Sequence, residues 1–440
     1  MAGFTFPKGG IHPAEHKELT EHLAIEEMPP PDQVALPLSM HFGAPATPVV
    51  KKKQEVQEGD VIGTVEKALG ATIHSSVTGV VKTIETRPHP TMVRCDAVVI
   101  DRDPAAGPRQ YQTEDWTKLS REQLLARVKD AGIVGLGGAG FPTHVKLSPP
   151  PTAKVDTLIL NGAECEPYLT TDHRIMLEQP EKIVEGTRVI LKILGIKQGI
   201  IGIELNKPDA INAMTKVAQR FSGFEGMEIR VQGMKVKYPH GSEKQLIYSL
   251  TRRSVPGGGL PFDVGVIVQN ISTTLAIVEA ATMNKPLYEK VVTFSGRAIN
   301  RPANLKVKVG TSLADVVNYL GGTKDLVKIV SGGPMMGFAM SALDVPITKT
   351  TSGVLFLNSR ETDLEPHGPC IHCGRCLEAC PMGLAPKEAA VYVEAGKGHL
   401  TERFGIFDCF ECGCCAYVCP AKRPMVQFIR LAKIQVKKHA

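Results

Sequence analysis

The rhythm of apolar and polar positions changes several times along the chain, and each change predicts a different kind of element. Over residues 48–84 short alternating runs are broken by Gly59-Asp60, Gly70 and Gly79 at turn positions, which predicts an all-β unit. From Trp116 the period becomes helical, with Ser120 and Gln123 forming a capping box ahead of Leu124, Leu125 and Val128. Residues 155–160 are a continuous apolar run of the kind buried in a parallel sheet. A helix over 182–194, a strand over 199–205, a helix over 210–221 and a strand over 227–232 follow, so this stretch predicts an α/β layer. Residues 290–337 read as strand, strand, helix and strand, the order of a small β-grasp module. Residues 386–396 form a helix-like stretch between two cysteine runs, and the basic tail places Met425, Phe428, Ile429 and Leu431 at roughly helical spacing. That tail predicts an amphipathic helix packed on its own domain, with a partner or membrane-surface contact as the alternative. The fold class is multidomain α+β.

Composition narrows the function. With 440 residues and 43% apolar side chains the chain can bury two to four cores. Its net charge of +6 is too small and too evenly spread for a dedicated nucleic-acid binder. No run of 18 or more residues is apolar and uncharged, and the first ten residues lack the apolar core of a signal peptide. The expectation is a chain with no transmembrane segment, on the cytoplasmic side. Nine of the eleven cysteines lie between Cys370 and Cys419, and in a reducing compartment such a cluster holds metal rather than disulfides.

Those nine contain two copies of C-x2-C-x2-C-x3-C-P, the bacterial ferredoxin run. Three thiolates two residues apart wrap one cubane, and the fourth reaches the other. Cys370, Cys373, Cys376 and Cys419 are expected to hold one [4Fe-4S] cluster, and Cys409, Cys412, Cys415 and Cys380 the second. Structural zinc is the alternative, and three evenly spaced cysteines plus a fourth match its tetrahedron poorly. Cys414 is expected to be a buried bystander, and Cys95 has no partner signature. Two clusters without a substrate pocket move single electrons, so another site must convert them to two-electron chemistry.

The string Gly135-Leu-Gly137-Gly138-Ala139-Gly140 satisfies G-x-G-x-x-G, yet a helix precedes it where a dinucleotide fingerprint needs a strand. What remains is a backbone that can approach a flat or phosphorylated ligand, with Pro142 able to start a helix. The longer string GLGGAGFPTHVKL, followed by NGAECEPYLTTDHR, resembles the NADH-oxidising flavoprotein subunit of respiratory complex I. The resemblance implies that residues 137–141, Phe141 among them, face FMN and that Lys146 and Asn161 bind it. It also implies that Glu164 and Glu166 lie where flavin and nicotinamide meet, with Glu166 the catalytic candidate. That family's Y-x-x-G-E-E stands here as Tyr238, Gly241, Ser242 and Glu243, and a later segment offers Asn270 and Thr273 for the FMN phosphate or ribityl chain.

The β unit at 48–84 resembles the sandwich of lipoyl and biotinyl carrier domains, but its tip near residues 72–76 carries His74 and no lysine. A sandwich without a swinging arm is expected, with His74 a solvated tip residue. From FPKGGIHP at residues 6–13 through SGGPMMG at 331–337 to the twin cysteine motif, the chain resembles the C subunits of Rnf complexes, membrane-bound ion-pumping ferredoxin:NAD oxidoreductases. The implied domains are a segment with the lipoyl-like sandwich (1–115), an α/β FMN and NADH domain (116–288), a β-grasp module of the soluble-ligand-binding type (289–345) and an α-helical double [4Fe-4S] ferredoxin-like domain (346–440). The implied activity is exchange of hydride between NAD(H) and FMN, with electrons relayed through both clusters. The implied partners are other subunits of a membrane electron-transport complex, an iron-sulfur subunit included, and the implied place is the cytoplasmic face of the inner membrane. A cobalamin reductase built from the same domains and a non-catalytic iron-sulfur relay are the competing readings.

Overall fold

The apolar strand Thr157–Gly162 is covered on both faces, because it lies inside a four-stranded parallel sheet. The strand order is Glu228–Met234, Gln198–Glu204, Thr157–Gly162, Val266–Asn270. After Thr157–Gly162 the chain adds two strands on one side and then returns to add Val266–Asn270 on the other. This reversal opens a crevice at the carboxyl ends of the strands, where Asn161 and Asn270 are register partners. Open α/β sheets bind ligands at such a point. One face of the sheet is packed by the helices Arg121–Asp130, Pro180–Leu194 and Ile271–Met283 around Leu124, Val128, Val189 and Ile277. The other face is covered by Glu243–Thr251 through Leu246, Ile247 and Leu250. The capping box at Ser120 and Gln123 is present. The computed structural model describes residues 4–66, 69–221 and 223–439.

The N-terminal sandwich has one sheet in the order Gln33–Pro37, Val93–Arg102, Gly79–His89, Glu55–Val56 and a smaller one in the order Thr47–Pro48, Val61–Thr64, Ile73–His74. Val34, Leu36, Ile62, Ile73, Val81 and Ile100 fill its core. His74 departs from the expectation of a solvated tip: it is 3% exposed, and burial holds its imidazole down at about 3. The reason is that the tip is a docking point. Buried Lys349 donates from Nζ to Thr72 O and Gly132 O, both at 2.7 Å, and Ser76 Oγ donates to Val309 O at 2.5 Å. A side chain on Gly132 would place Cβ 2.1 Å from Thr72 O, so only glycine lets the tip close onto the α/β layer.

The β-grasp sheet reaches past both boundaries expected for it. Its order is Ile25–Glu27, Ala303–Lys308, Glu289–Ser295, Gly353–Leu357, Lys328–Ser331, Phe338–Met340. Ile25–Glu27, from the N-terminal segment, pairs in parallel with Ala303–Lys308. Gly353–Leu357, beyond residue 345, pairs with both Glu289–Ser295 and Lys328–Ser331. Helix Leu313–Tyr319 covers the core of Val292, Phe294, Leu305 and Phe356.

The C-terminal region is an internal repeat. Gly374 and Gly413, both at φ 79°, precede the one-turn helices Arg375–Glu378 and Cys414–Tyr417. Corresponding longer helices, Pro386–Glu394 and Met425–His439, follow each run. Met425–His439 turns Ile429, Ala432 and Val436 onto Ala389, Val393 and Ile406, while Leu431 faces solvent despite its place in the expected stripe. Among the described residues no helix is long and apolar enough to cross a membrane.

Candidate functional site at the sheet crevice and cysteine runs

The glycine loop is closed at its neck by Gly135 N–H donating to Phe141 O at 2.9 Å. Leu136 N–H donates to the buried Thr273 hydroxyl at 2.9 Å. A Cβ on Gly137 would lie 2.8 Å from Asn270 Nδ2, whereas one on Gly138 would meet nothing within 4 Å. The loop therefore rests on Asn270 and Thr273 and opens outward at Gly138. The helix begun by Pro142 is a single turn, Thr143–Lys146, and Lys146 pairs with Glu243. Phe42, from the sandwich, donates its N–H to Gly140 O at 2.9 Å, and its ring lies 5.8 Å from that of Phe141.

The acid-rich loop follows Thr157–Gly162. Asn161 Nδ2 donates to Gly241 O at 2.8 Å. The Glu164 carboxylate accepts the N–H groups of Asp172 (2.7 Å) and His173 (3.1 Å), satisfying the free donors at the start of Thr171–Glu178. Glu166 Oε2 accepts Met335 N–H at 3.1 Å, and its Oε1 lies 3.1 Å from the Tyr238 hydroxyl. Burial pushes the Glu166 carboxyl up to about 7, against the pull of these two donors and of Lys17. Gly333 of SGGPMMG packs so closely that a Cβ would sit 2.1 Å from Glu166 Oε2, so the β-grasp module supplies one wall of the site.

Asn161, Glu164, Glu166, Tyr238, Gly241, Glu243, Asn270 and Thr273 thus gather with the glycine loop around one crevice. Four further residues hold it together without having stood out in the sequence. Lys17, 4% exposed, donates from Nζ to the carbonyls of Glu164 and Glu166, both at 3.0 Å, and to that of Leu169. Lys207, 1% exposed, donates to Ala163 O at 2.8 Å. Cys165 Sγ accepts Gly241 N–H at 3.3 Å. Asp172 accepts from Asn270 Nδ2 (2.6 Å) and from the Ser272 N–H (3.1 Å) and hydroxyl (2.6 Å); burial and the charge of Glu164 push it up to about 6.

The cysteines divide across the two runs. Cys370, Cys373, Cys376 and Cys419 line one cavity, and Lys387 and Arg423 line it with them. Cys380, from the first run, lies in the field of Cys409, Cys412 and Cys415; burial pushes the Cys409 thiol up to about 11, and neighbouring Cys412 and Cys380 add to the rise. Cys414 is fully buried. Among the described residues no three His, Cys, Asp or Glu side chains close around a single-ion site. The Tyr238 hydroxyl lies 2.8 Å from Cys412 O, so the crevice and the second run meet at one side chain.

In Clostridium ljungdahlii, the C subunit of a proton-translocating ferredoxin:NAD(+) oxidoreductase complex is 47% identical over 438 residues, covering 97% of this chain and 93% of that one. The chain belongs to the family of Rnf complex C subunits. The C subunit of the Na(+)-translocating ferredoxin:NAD(+) oxidoreductase complex of Acetobacterium woodii is 42% identical over 437 residues, covering 98% and 96%. Family models match in chain order: the RnfC barrel sandwich hybrid domain at 4–105, the Nuo51 FMN-binding domain at 128–279, the SLBB domain at 291–339 and the 4Fe-4S dicluster domain at 369–422. The family resemblance drawn from the motifs is thereby borne out. Among solved structures, an NAD+-reducing [NiFe]-hydrogenase in the H2-reduced state shares the fold, with a TM-score of 0.51 and 16% identity over 74% of this chain and 62% of that one.

Proposed function

We propose that this chain is the NAD(H)-facing subunit of a membrane-bound, ion-translocating ferredoxin:NAD oxidoreductase, with FMN in the crevice and two [4Fe-4S] clusters in the cysteine domain. The observation that carries the reading is Tyr238, whose hydroxyl touches both the Glu166 carboxyl and the Cys412 carbonyl. Bound in the crevice, FMN would exchange hydride with NAD(H) and electrons singly with the clusters. The residues fit that cofactor: the open space at Gly138 admits a flat ring against backbone, and Asn270 and Thr273 hold the loop in place beneath it. Glu166, raised to about 7, could hold or release a proton near neutral pH, and Lys146 with Glu243 would supply a polar rim. Cys370, Cys373, Cys376 and Cys419 would hold one cluster, and Cys409, Cys412, Cys415 and Cys380 the other. The partners are the other subunits of the complex, an iron-sulfur subunit among them, at the cytoplasmic face of the membrane.

Gly138→Trp tests the cofactor site with little risk to the fold, since no protein atom occupies the space the side chain would enter. The variant is expected to purify folded and without the yellow cofactor that denaturation releases from wild type. A folded wild type lacking flavin would make the protein an iron-sulfur relay.

Glu166→Gln tests the hydride step. Above pH 7, where Glu166 is ionised, its charge-assisted hydrogen bond is worth about 1.5–3 kcal/mol, so stopped-flow bleaching of flavin by NADH should change there roughly tenfold to hundredfold. Wild type should also show a step in that rate near pH 7 that the variant lacks. Stability carries the same signature. The folded state holds the Glu166 proton up to about 7 against an ordinary 4.5, so this contribution is complete below 4.5 and is lost as pH rises through 7. An unchanged rate and pH profile in the variant would remove Glu166 from the chemistry.

A further inference from the structure

Tyr238 occupies an unusual position for a residue expected at a nucleotide. It is 3% exposed and packs among Ile11, Ala379, Cys412 and Cys414. Its backbone is fixed independently of its hydroxyl: Tyr238 N–H donates to Ile11 O and Ile11 N–H to Tyr238 O, both at 2.9 Å. The hydroxyl has one proton and two acceptors in reach, Glu166 Oε1 at 3.1 Å and Cys412 O at 2.8 Å. A backbone carbonyl can only accept. When the phenol donates to Cys412 O, the Glu166 contact is a hydrogen bond only if Glu166 supplies its own proton. When Glu166 is ionised it competes for the phenol's proton, and the carbonyl in the cysteine loop loses its donor.

We infer that Tyr238 is a positioning residue that couples the hydride site to the second cysteine run, its hydroxyl dipole helping to set how readily the cluster held there accepts an electron. This rests on the proposed cofactor assignment. Hydrogen bonds and dipoles around a cluster's ligands tune its potential, and the positive end of an O–H aimed at the Cys412 peptide favours the reduced, more negative cluster. The electron the cluster gains is the one the flavin gives up, and no bond in Tyr238 is made or broken. Met335 strengthens the link, because its N–H holds Glu166 while its carbonyl lies against Gly413: a Cβ added there would be 2.8 Å from Met335 O.

Two variants of the full chain, purified anaerobically with cofactors loaded, test this by potentiometric EPR. The second-run cluster is identified as the signal lost in Cys380→Ala. Tyr238→Phe keeps the ring and removes the donor, so that cluster should become harder to reduce by roughly threefold to tenfold in its one-electron equilibrium, tenfold being about 59 mV. The first-run cluster should not move. Glu166→Gln should shift the second-run cluster the opposite way, because an amide N–H donated to the phenol oxygen commits the hydroxyl proton to Cys412 O. Unmoved potentials in both variants, with wild-type iron and FMN content, overturn the inference alone. A wild type without FMN or with only one cluster signal overturns the cofactor assignment on which it stands. If Tyr238→Phe fails to load its clusters, Glu166→Gln decides by the same criterion.

Discussion

Lys17→Met is expected to lower stability by about 3–5 kcal/mol and to loosen the loop that carries Glu164 and Glu166. Methionine matches the length of the lysine stem but brings no donor, so three carbonyl oxygens lose their partner at once. Each buried acceptor left unpaired costs about 1–3 kcal/mol. Part of that is recovered, because burial and the charge of Lys207 hold the Lys17 ammonium below its usual range and the variant no longer has to bury a cation. The sum still places Lys17→Met among the most damaging single changes. The check is a chemical denaturation series followed by flavin fluorescence, with hydrogen exchange at residues 163–169 as the local readout. An unmoved midpoint and native protection there would mean that other donors replace the ammonium.

Cys380→Ala is expected to remove about four of roughly eight irons, with the same loss of sulfide. The cluster that disappears should be the one built chiefly by Cys409, Cys412 and Cys415, although Cys380 belongs to the other run in sequence. The reciprocal change, Cys419→Ala, should spare that cluster and empty the cavity lined by Cys370, Cys373 and Cys376. Cys414→Ala should keep both, since this buried thiol stands where the first run has Arg375 and lies outside the repeating four positions. Anaerobic iron and sulfide analysis measures all three variants. Stoichiometric zinc without sulfide in the wild type would end the cluster assignment.

Features that depend on near neighbours are legible in the sequence alone: the capping box at Ser120, the buried strand Thr157–Gly162, the twin cysteine spacing and the glycine loop. Each is encoded within about a dozen residues. Features that depend on distant pairing are not. Lys17 follows His-Pro-Ala-Glu-His and carries no local mark, because its acceptors lie 147 to 152 residues away. The short acidic strand Ile25–Glu27 shows no alternation to read, and Gly353–Leu357 is apolar but lies well past the glycine-rich turn at 332–337 that looks like the end of its module. His74 misleads because a hairpin tip is polar whether it meets water or, as here, another domain. Asp172 lies in a string already marked for flavin contact, yet its part in holding Asn270 emerges only when Val266–Asn270 comes to lie beside Thr157–Gly162.

The pairing of Ile25–Glu27 with Asn304, Leu305 and Lys306 also dictates when, during synthesis, the molecule can close. At about 5–20 residues per second, the ribosome needs roughly 15–55 s to make the chain between those partners. For that interval the segment over residues 17–27 has neither its strand neighbour nor, until residue 169 has emerged, all the acceptors of Lys17. Two of the three waiting strand residues are glutamates, and charge on an unpaired edge discourages pairing with other chains. The nascent protein thus keeps this waiting strand soluble until the β-grasp sheet arrives to receive it.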